Sequence, residues 1–195
     1  MKKDKTEISF KELEEKVKEY IKEEEISEIK KAYDLASELH DGEIRLSGNP
    51  YIYHLLNVAL ILANIEADAD TIAASLLHGV LNHEKCNIDK LSEEFSPAVV
   101  DLVKGITKIK QLKFNDLSES IASNYKKIIV GLSEDVRILI IMLADRLHDM
   151  RTLWAVEEEE QKRIAHETLE LLTPIAHRLG MNQIKSELED LSLRY

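Results

Sequence analysis

From Ser133 the chain reads SEDVRILIIMLADRLHDMRTLWA, and this segment constrains the fold more than any other. Val136, Leu139, Ile140, Leu143, Leu147 and Met150 recur at the three- and four-residue spacing that lines one face of an α-helix. Ile138, Ile141 and Met142 cover the opposite side, so the first half is apolar all round, as in a helix at the centre of a packed domain. The pattern predicts a helix over 134–156 with Ser133 as its cap. In its second half Asp145, His148, Asp149 and Thr152 continue the face begun by Ile138, Ile141 and Met142, since successive residues lie about 100° apart. A polar face growing out of a buried stripe predicts the wall of a pocket.

The helical period governs the rest of the chain. Phe10, Leu13, Val17, Tyr20 and Ile21 predict an amphipathic helix, and a second runs from Ser27 to His40. DGEIRLSGNP, 41–50, holds two glycines and ends in a proline suited to a helix's first turn, so it reads as a loop. Buried helices are expected over 51–65 and 70–83. Ser96-Pro97 opens another to about Lys104, and the polar stretch 109–120 reads as a loop. Further helices are expected over 121–132, 158–172, 174–179 and 183–193. Three prolines and six glycines leave too little punctuation for an all-β chain. The expected fold class is all-α, a multi-helix bundle, with a helical extension over 1–26 preceding the main domain over 27–195.

Charge and composition exclude several functions. A formal net charge of −11 argues against a direct grip on DNA or RNA, where basic side chains must replace counterions. A small phosphorylated ligand stays open to it, because a pocket can be locally basic. One cysteine, Cys86, forbids an internal disulfide and fits a reducing compartment. The Lys/Glu-rich start lacks the apolar core of a signal peptide, and the longest apolar run, ILIIMLA, is too short to cross a bilayer. A cytoplasmic protein with no membrane partner is expected. EEEE at 157–160 reads as solvated surface and Trp154 as a packing residue.

Polar residues inside apolar runs mark the candidate chemistry. His54 lies in YIYHLLNVALILA, His78 in IAASLLHGVL, and Asp145 follows IIMLA. Each alone has a structural reading, and Arg146 or Arg151 could neutralise Asp145. Two imidazoles and a carboxylate on three buried helices also suit a transition metal. Gly79, directly after His78, costs a helix about 1 kcal/mol relative to alanine. In the RLSG loop, Arg45 and Ser47 either hold a nucleotide or are ordinary surface residues.

The stretches RLSGNPYIYH, DTIAASLLHGV, VKGITKI, IIMLADRLHDMRTL, HETLELLTPIAHRLG and SELEDLSLRY resemble the N-terminal domain of the RelA/SpoT long alarmone synthetase-hydrolases. The resemblance covers residues 27–195 and implies an all-helical HD-type bundle. In members that retain the activity, such a domain removes the 3′-pyrophosphate from (p)ppGpp using Mn²⁺. It implies His54, His78 and Asp145 as metal ligands, with Gly79 where the aspartate of the His-Asp pair belongs. The family's Glu-Asp, proposed to assist the attacking water, falls on Asn82 and His83. Leu46 stands for a lysine, Leu55 for a proline and Asp149 for an asparagine, whereas Arg45, Ser47 and Thr152 match residues used around the guanine nucleotide.

These departures imply a degenerate hydrolase domain with weak or absent Mn²⁺ binding and no intact catalytic set. Rescue by His83 conflicts with regular helix geometry, because residues five apart point about 140° away from each other, and it would need a break at Gly79. The expected role is a regulatory module that binds GDP or ppGpp and partners the synthetase domain of a parent GTP pyrophosphokinase in the stringent response. A slow Mn²⁺-dependent (p)ppGpp 3′-pyrophosphohydrolase and a helical protein-interaction domain are the alternatives.

Overall fold

The computed structural model describes residues 8–111 and 135–195. The chain divides after Gln111 into two compact units.

In the first unit α1 spans Phe10–Val17, α2 Glu23–Leu39, α3 Tyr51–Asn64, α4 Ala69–Leu76, α5 Ile88–Glu94 and α6 Pro97–Gln111. The middle helix is α4, which packs against α2, α3 and α6, while α1 lies on α3. Every residue of α4 except Asp70 is buried, and the small side chains of Ala73, Ala74 and Ser75 let its neighbours approach closely. Asp68 caps it, accepting from the Thr71 amide at 2.8 Å.

The helix expected over 70–83 stops at Leu76. Leu77 closes it, Gly79 follows in a turn, and Val80–Asn82 form a single 3₁₀ turn ending on extended His83. A glycine so close to the end weakens helix continuation, and the chain leaves the helix there. Helix α5, capped by the Asn87 side chain, falls where no helix is expected from the periodicity. Ser96 does cap α6, its hydroxyl accepting from the Val99 amide at 3.3 Å. That helix runs past Lys104, so Ile109, Lys110 and Gln111 are helical rather than loop. The rest of the expected loop, the 121–132 helix and Ser133 lie outside the described residues.

In the second unit α7 spans Val136–Arg151, α8 Glu158–Glu167, α9 Thr173–Arg178 and α10 Asn182–Ser192. Asp135 caps α7, accepting from the Arg137 amide at 2.9 Å, so the helix starts later than 134. It ends at Arg151, and Leu153–Ala155 form a separate 3₁₀ turn. Trp154 sits there 58% exposed, not packed as expected. Between α8 and α9 the chain winds as a π-helix over Thr168–Leu172. Pro174 lacks an amide proton, and widening the turn before it spares the ladder a gap. Helix α10 packs on α7 and α9, burying Ile184, Leu188 and Leu191.

Arg146 pairs with Glu167 at 2.6 Å and Arg151 with Glu187 through two bonds of 2.7 and 2.9 Å. Both guanidiniums are thus committed to glutamates within this unit, not to the neutralisation of Asp145 envisaged from sequence. The architecture is all-α; among the described residues the β-type pairing is an isolated antiparallel bridge between Ile44 and Pro50. No helix among them is long and apolar enough to cross a membrane.

Candidate functional site

In the first unit the candidate residues meet where α2 ends, α3 begins and α4 breaks. The loop between α2 and α3 folds back on itself: the Arg45 amide donates to the Asn49 carbonyl at 2.9 Å and the Tyr51 amide to Glu43 at 2.9 Å. Gly48 closes this turn at φ +86°, a conformation that side chains disfavour. The closure presents Arg45 to the first turn of α3, where its guanidinium donates to His54 Nδ1. Ser47 Oγ is buried in the same turn without a hydrogen-bond partner. Leu46 points outward, 81% exposed.

His54 and His78 are both buried, and their rings meet edge to face with centroids 5.5 Å apart. Their hydrogen bonds set opposite tautomers. His78 Nδ1 donates to the Ser75 carbonyl at 2.6 Å, which leaves Nε2 with the lone pair, the arrangement typical of a metal ligand. His54 Nδ1 accepts from Arg45, so a neutral His54 ring carries its proton on Nε2. Held this way, His54 presents no ligating lone pair until Arg45 lets go.

Gly79 has an ordinary negative φ of −112°. A Cβ there would stand 3.4 Å from both His40 Cε1 and the Tyr51 hydroxyl, in normal van der Waals contact. The backbone therefore tolerates a side chain at 79, and the missing carboxylate is a matter of sequence and not of space. Asn82 is exposed to solvent on the 3₁₀ turn. His83 does not return to His78; the break in the helix turns it towards His40 and Glu43. Its Nε2 lies 3.1 Å from His40 Nδ1 and 3.6 Å from Glu43 Oε1, and His40 Nδ1 lies 2.8 Å from Glu43 Oε2.

His40 and Glu43 were not singled out by the sequence patterns. The available signal was their three-residue spacing across the end of α2, which brings a histidine and a carboxylate together. Burial pushes the His40 imidazole below its usual pKa range, partly offset by its bond to Glu43.

In the second unit, Asp145, His148 and Thr152 are buried along α7, with Asp149 half-buried beside them. The Thr152 hydroxyl bonds the carbonyls of His148 and Asp149 at 3.3 and 3.2 Å, so its proton is used within the helix and its lone pairs remain for a ligand.

A family model described as an HD domain matches residues 32–182. The chain belongs to the HD domain family. Within that family it is of the RelA/SpoT type. It is 41% identical over 182 residues to the bifunctional (p)ppGpp synthase/hydrolase SpoT of Escherichia coli, covering 93% of this chain and 26% of that protein. A guanosine-3′,5′-bis(diphosphate) 3′-pyrophosphohydrolase of Aquifex aeolicus is 45% identical over 168 residues, 86% of this chain and 24% of that one. A GTP pyrophosphokinase of Myxococcus xanthus is 41% identical over 182 residues, 92% and 24% respectively. The chain thus spans about a quarter of the length of these curated relatives. A solved structure, described as a metazoan ortholog of SpoT that hydrolyzes ppGpp, shares the fold with a TM-score of 0.66 at 22% identity. The match covers 86% of this chain and 94% of that one.

HD domains hold a divalent cation through the pair that names them. Here Gly79 offers no carboxylate beside His78.

Proposed function

We propose that this chain is a guanine-nucleotide-binding HD domain with degenerate hydrolase chemistry, a regulatory module of a RelA/SpoT-type (p)ppGpp synthetase working in the cytoplasm. In this reading Arg45, Ser47 and Thr152 meet GDP or ppGpp. His54, His78 and Asp145 are what remains of a Mn²⁺ site. The observation that carries the proposal is Gly79, which leaves His78 without the carboxylate that would complete its pair.

Hydrolysing a phosphate ester at neutral pH with such a site requires a metal that lowers the pKa of bound water. Removing one anionic ligand weakens the hold on that metal. Asn82 cannot serve as a general base, and His83 is engaged with His40. General-base assistance is worth roughly 10²- to 10⁴-fold, so losing ligand and base together leaves little turnover. The buried Ser47 hydroxyl and the folded-back RLSG turn support retention of a ligand pocket.

The test follows pyrophosphate release from ppGpp with Mn²⁺, and ppGpp binding by calorimetry. Turnover is expected at least about 100-fold below that of the corresponding E. coli SpoT domain, with binding retained. The triple variant Gly79→Asp, Asn82→Glu, His83→Asp should regain measurable release. Wild-type turnover within tenfold of the relative would make the chain a working hydrolase. Absence of binding at millimolar nucleotide would leave an interaction domain.

A further inference from the structure

We infer that His40, Glu43 and His83 form a divalent transition-metal site of their own, of the zinc class, at the junction of the α2 end and the Gly79–His83 turn. His40 Nδ1 lies 3.1 Å from His83 Nε2 and 2.8 Å from Glu43 Oε2, and His83 Nε2 lies 3.6 Å from Glu43 Oε1, so each imidazole faces one oxygen of the carboxylate. One ligand atom from each of the three residues lies within 4.8 Å of the other two. Ligands about 2.0–2.1 Å from a tetrahedral zinc lie roughly 3.3 Å apart, and the three distances bracket that separation. Two imidazoles and one carboxylate are a ligand set that zinc uses with its fourth position left open.

Proton placement points the same way. At 3.1 Å, one proton at most fits between His40 Nδ1 and His83 Nε2, yet both nitrogens also face the Glu43 carboxylate. With the His40 proton donated to Glu43 at 2.8 Å, His83 Nε2 turns a lone pair towards His40 and stands 3.6 Å from the carboxylate, beyond hydrogen-bond reach. A cation in place of the protons lets both rings offer lone pairs while the carboxylate offers its charge.

The surroundings orient the ligands. The Tyr51 ring stacks on His40 with centroids 4.4 Å apart, and His83 meets His40 edge-on at 4.4 Å. Glu43 is 44% exposed and His83 21%, so an ion has a path from solvent and a coordination position on that side. Tyr51 also separates this cluster from His54, whose ring it meets at 5.4 Å. The bound ion would clasp the turn after α4 to the start of the RLSG loop, whether or not the domain hydrolyses anything.

The test uses the full chain, stripped of metal and titrated with Zn²⁺ against a chromophoric chelator, with Co²⁺ as a visible-absorption probe. Glu43 and His83 are partly exposed, so Glu43→Gln and His83→Ala spare the core; folding is checked by circular dichroism. Wild type should bind Zn²⁺ and show the intense visible bands of low-coordinate Co²⁺. His83→Ala should lose at least about 100-fold in affinity and Glu43→Gln at least about tenfold, while His54→Ala stays within about threefold. No Zn²⁺ binding by wild type would overturn the inference. So would loss in His54→Ala with none in His83→Ala, which would assign the ion to the HD position instead.

Discussion

Arg45 donates to Nδ1 of His54, so a residue that the RelA/SpoT resemblance gives to the nucleotide is bonded to one that it gives to the metal. The bond sets the tautomer of His54 and, on the proposed roles of the two residues, would tie nucleotide binding to metal binding. Nucleotide engagement that draws Arg45 away would return Nδ1 to a donor role and free Nε2 to ligate. In this domain ligand and metal binding are thus expected to be coupled.

Arg45→Ala separates the two effects. Loss of a charge-assisted contact is worth about 1.5–3 kcal/mol, so ppGpp affinity should fall roughly 10- to 100-fold. Mn²⁺ affinity should hold or rise, because His54 is released. Arg45→Lys should not restore the nucleotide, since an ammonium lacks the planar fork. Calorimetry with each ligand alone checks this, and unchanged ppGpp affinity in the alanine variant would remove Arg45 from the pocket.

Gly79→Asp asks whether the backbone still accepts the missing residue. With φ at −112° and ordinary contacts for a Cβ, the variant should fold, with a melting temperature within a few degrees of wild type. Gly79→Ala serves as the backbone control and should gain about 0.5–1 kcal/mol through the unfolded chain. Relative to that control, the aspartate should tighten Mn²⁺ at least about tenfold. A collapse of stability in both variants would show that the space beside His40 and Tyr51 is already taken.

The central helices were legible because burial imprints a period on sequence: α3 and α7 fall within their expected segments, and α4 starts one residue before its own. Their ends were not. Helix α4 stops at Leu76, although burial continues through the turn to Val80, and periodicity cannot tell a buried turn from a buried helix. Gly79 was the one local sign of the break. The candidate residues His54, His78 and Gly79 were readable as polar or missing groups in apolar runs. The partnership of His40, Glu43 and His83 was not, since it joins residues about forty positions apart through a turn whose direction no local pattern encodes.

His40 makes stability depend on pH in a defined direction. Its folded pKa lies below the ordinary 6.5, chiefly through burial. Between that depressed value and 6.5 the unfolded chain binds more protons than the folded one, so this contribution is full above pH 6.5 and is lost as pH falls through the window. Urea midpoints of metal-stripped wild type between pH 8 and 5 should fall more steeply than those of His40→Asn. Gly79→Asp places a carboxylate near His40 Nε2, a buried nitrogen without a hydrogen-bond partner, and should raise the pKa and flatten the slope. Parallel slopes in all three proteins would mean that His40 is solvated in solution.

Glu66 and Gly180 perform the same task with unequal residues. After α3 the Ala67 amide donates to Leu62 and the Glu66 amide to Ala63; after α9 the Met181 amide donates to Ala176 and the Gly180 amide to His177. Both patterns are the paired bonds that close a helix through a left-handed residue. Gly180 adopts φ +72° without steric cost, whereas Glu66 is held at φ +56°. Glu66→Gly should therefore raise stability by about 0.5 kcal/mol, the relief of strain exceeding the added freedom of the unfolded chain. Gly180→Ala should lower it by about 1 kcal/mol. Chemical denaturation of both variants measures the pair, and a destabilised Glu66→Gly would show that the glutamate side chain stabilises the α3 end by more than its backbone costs.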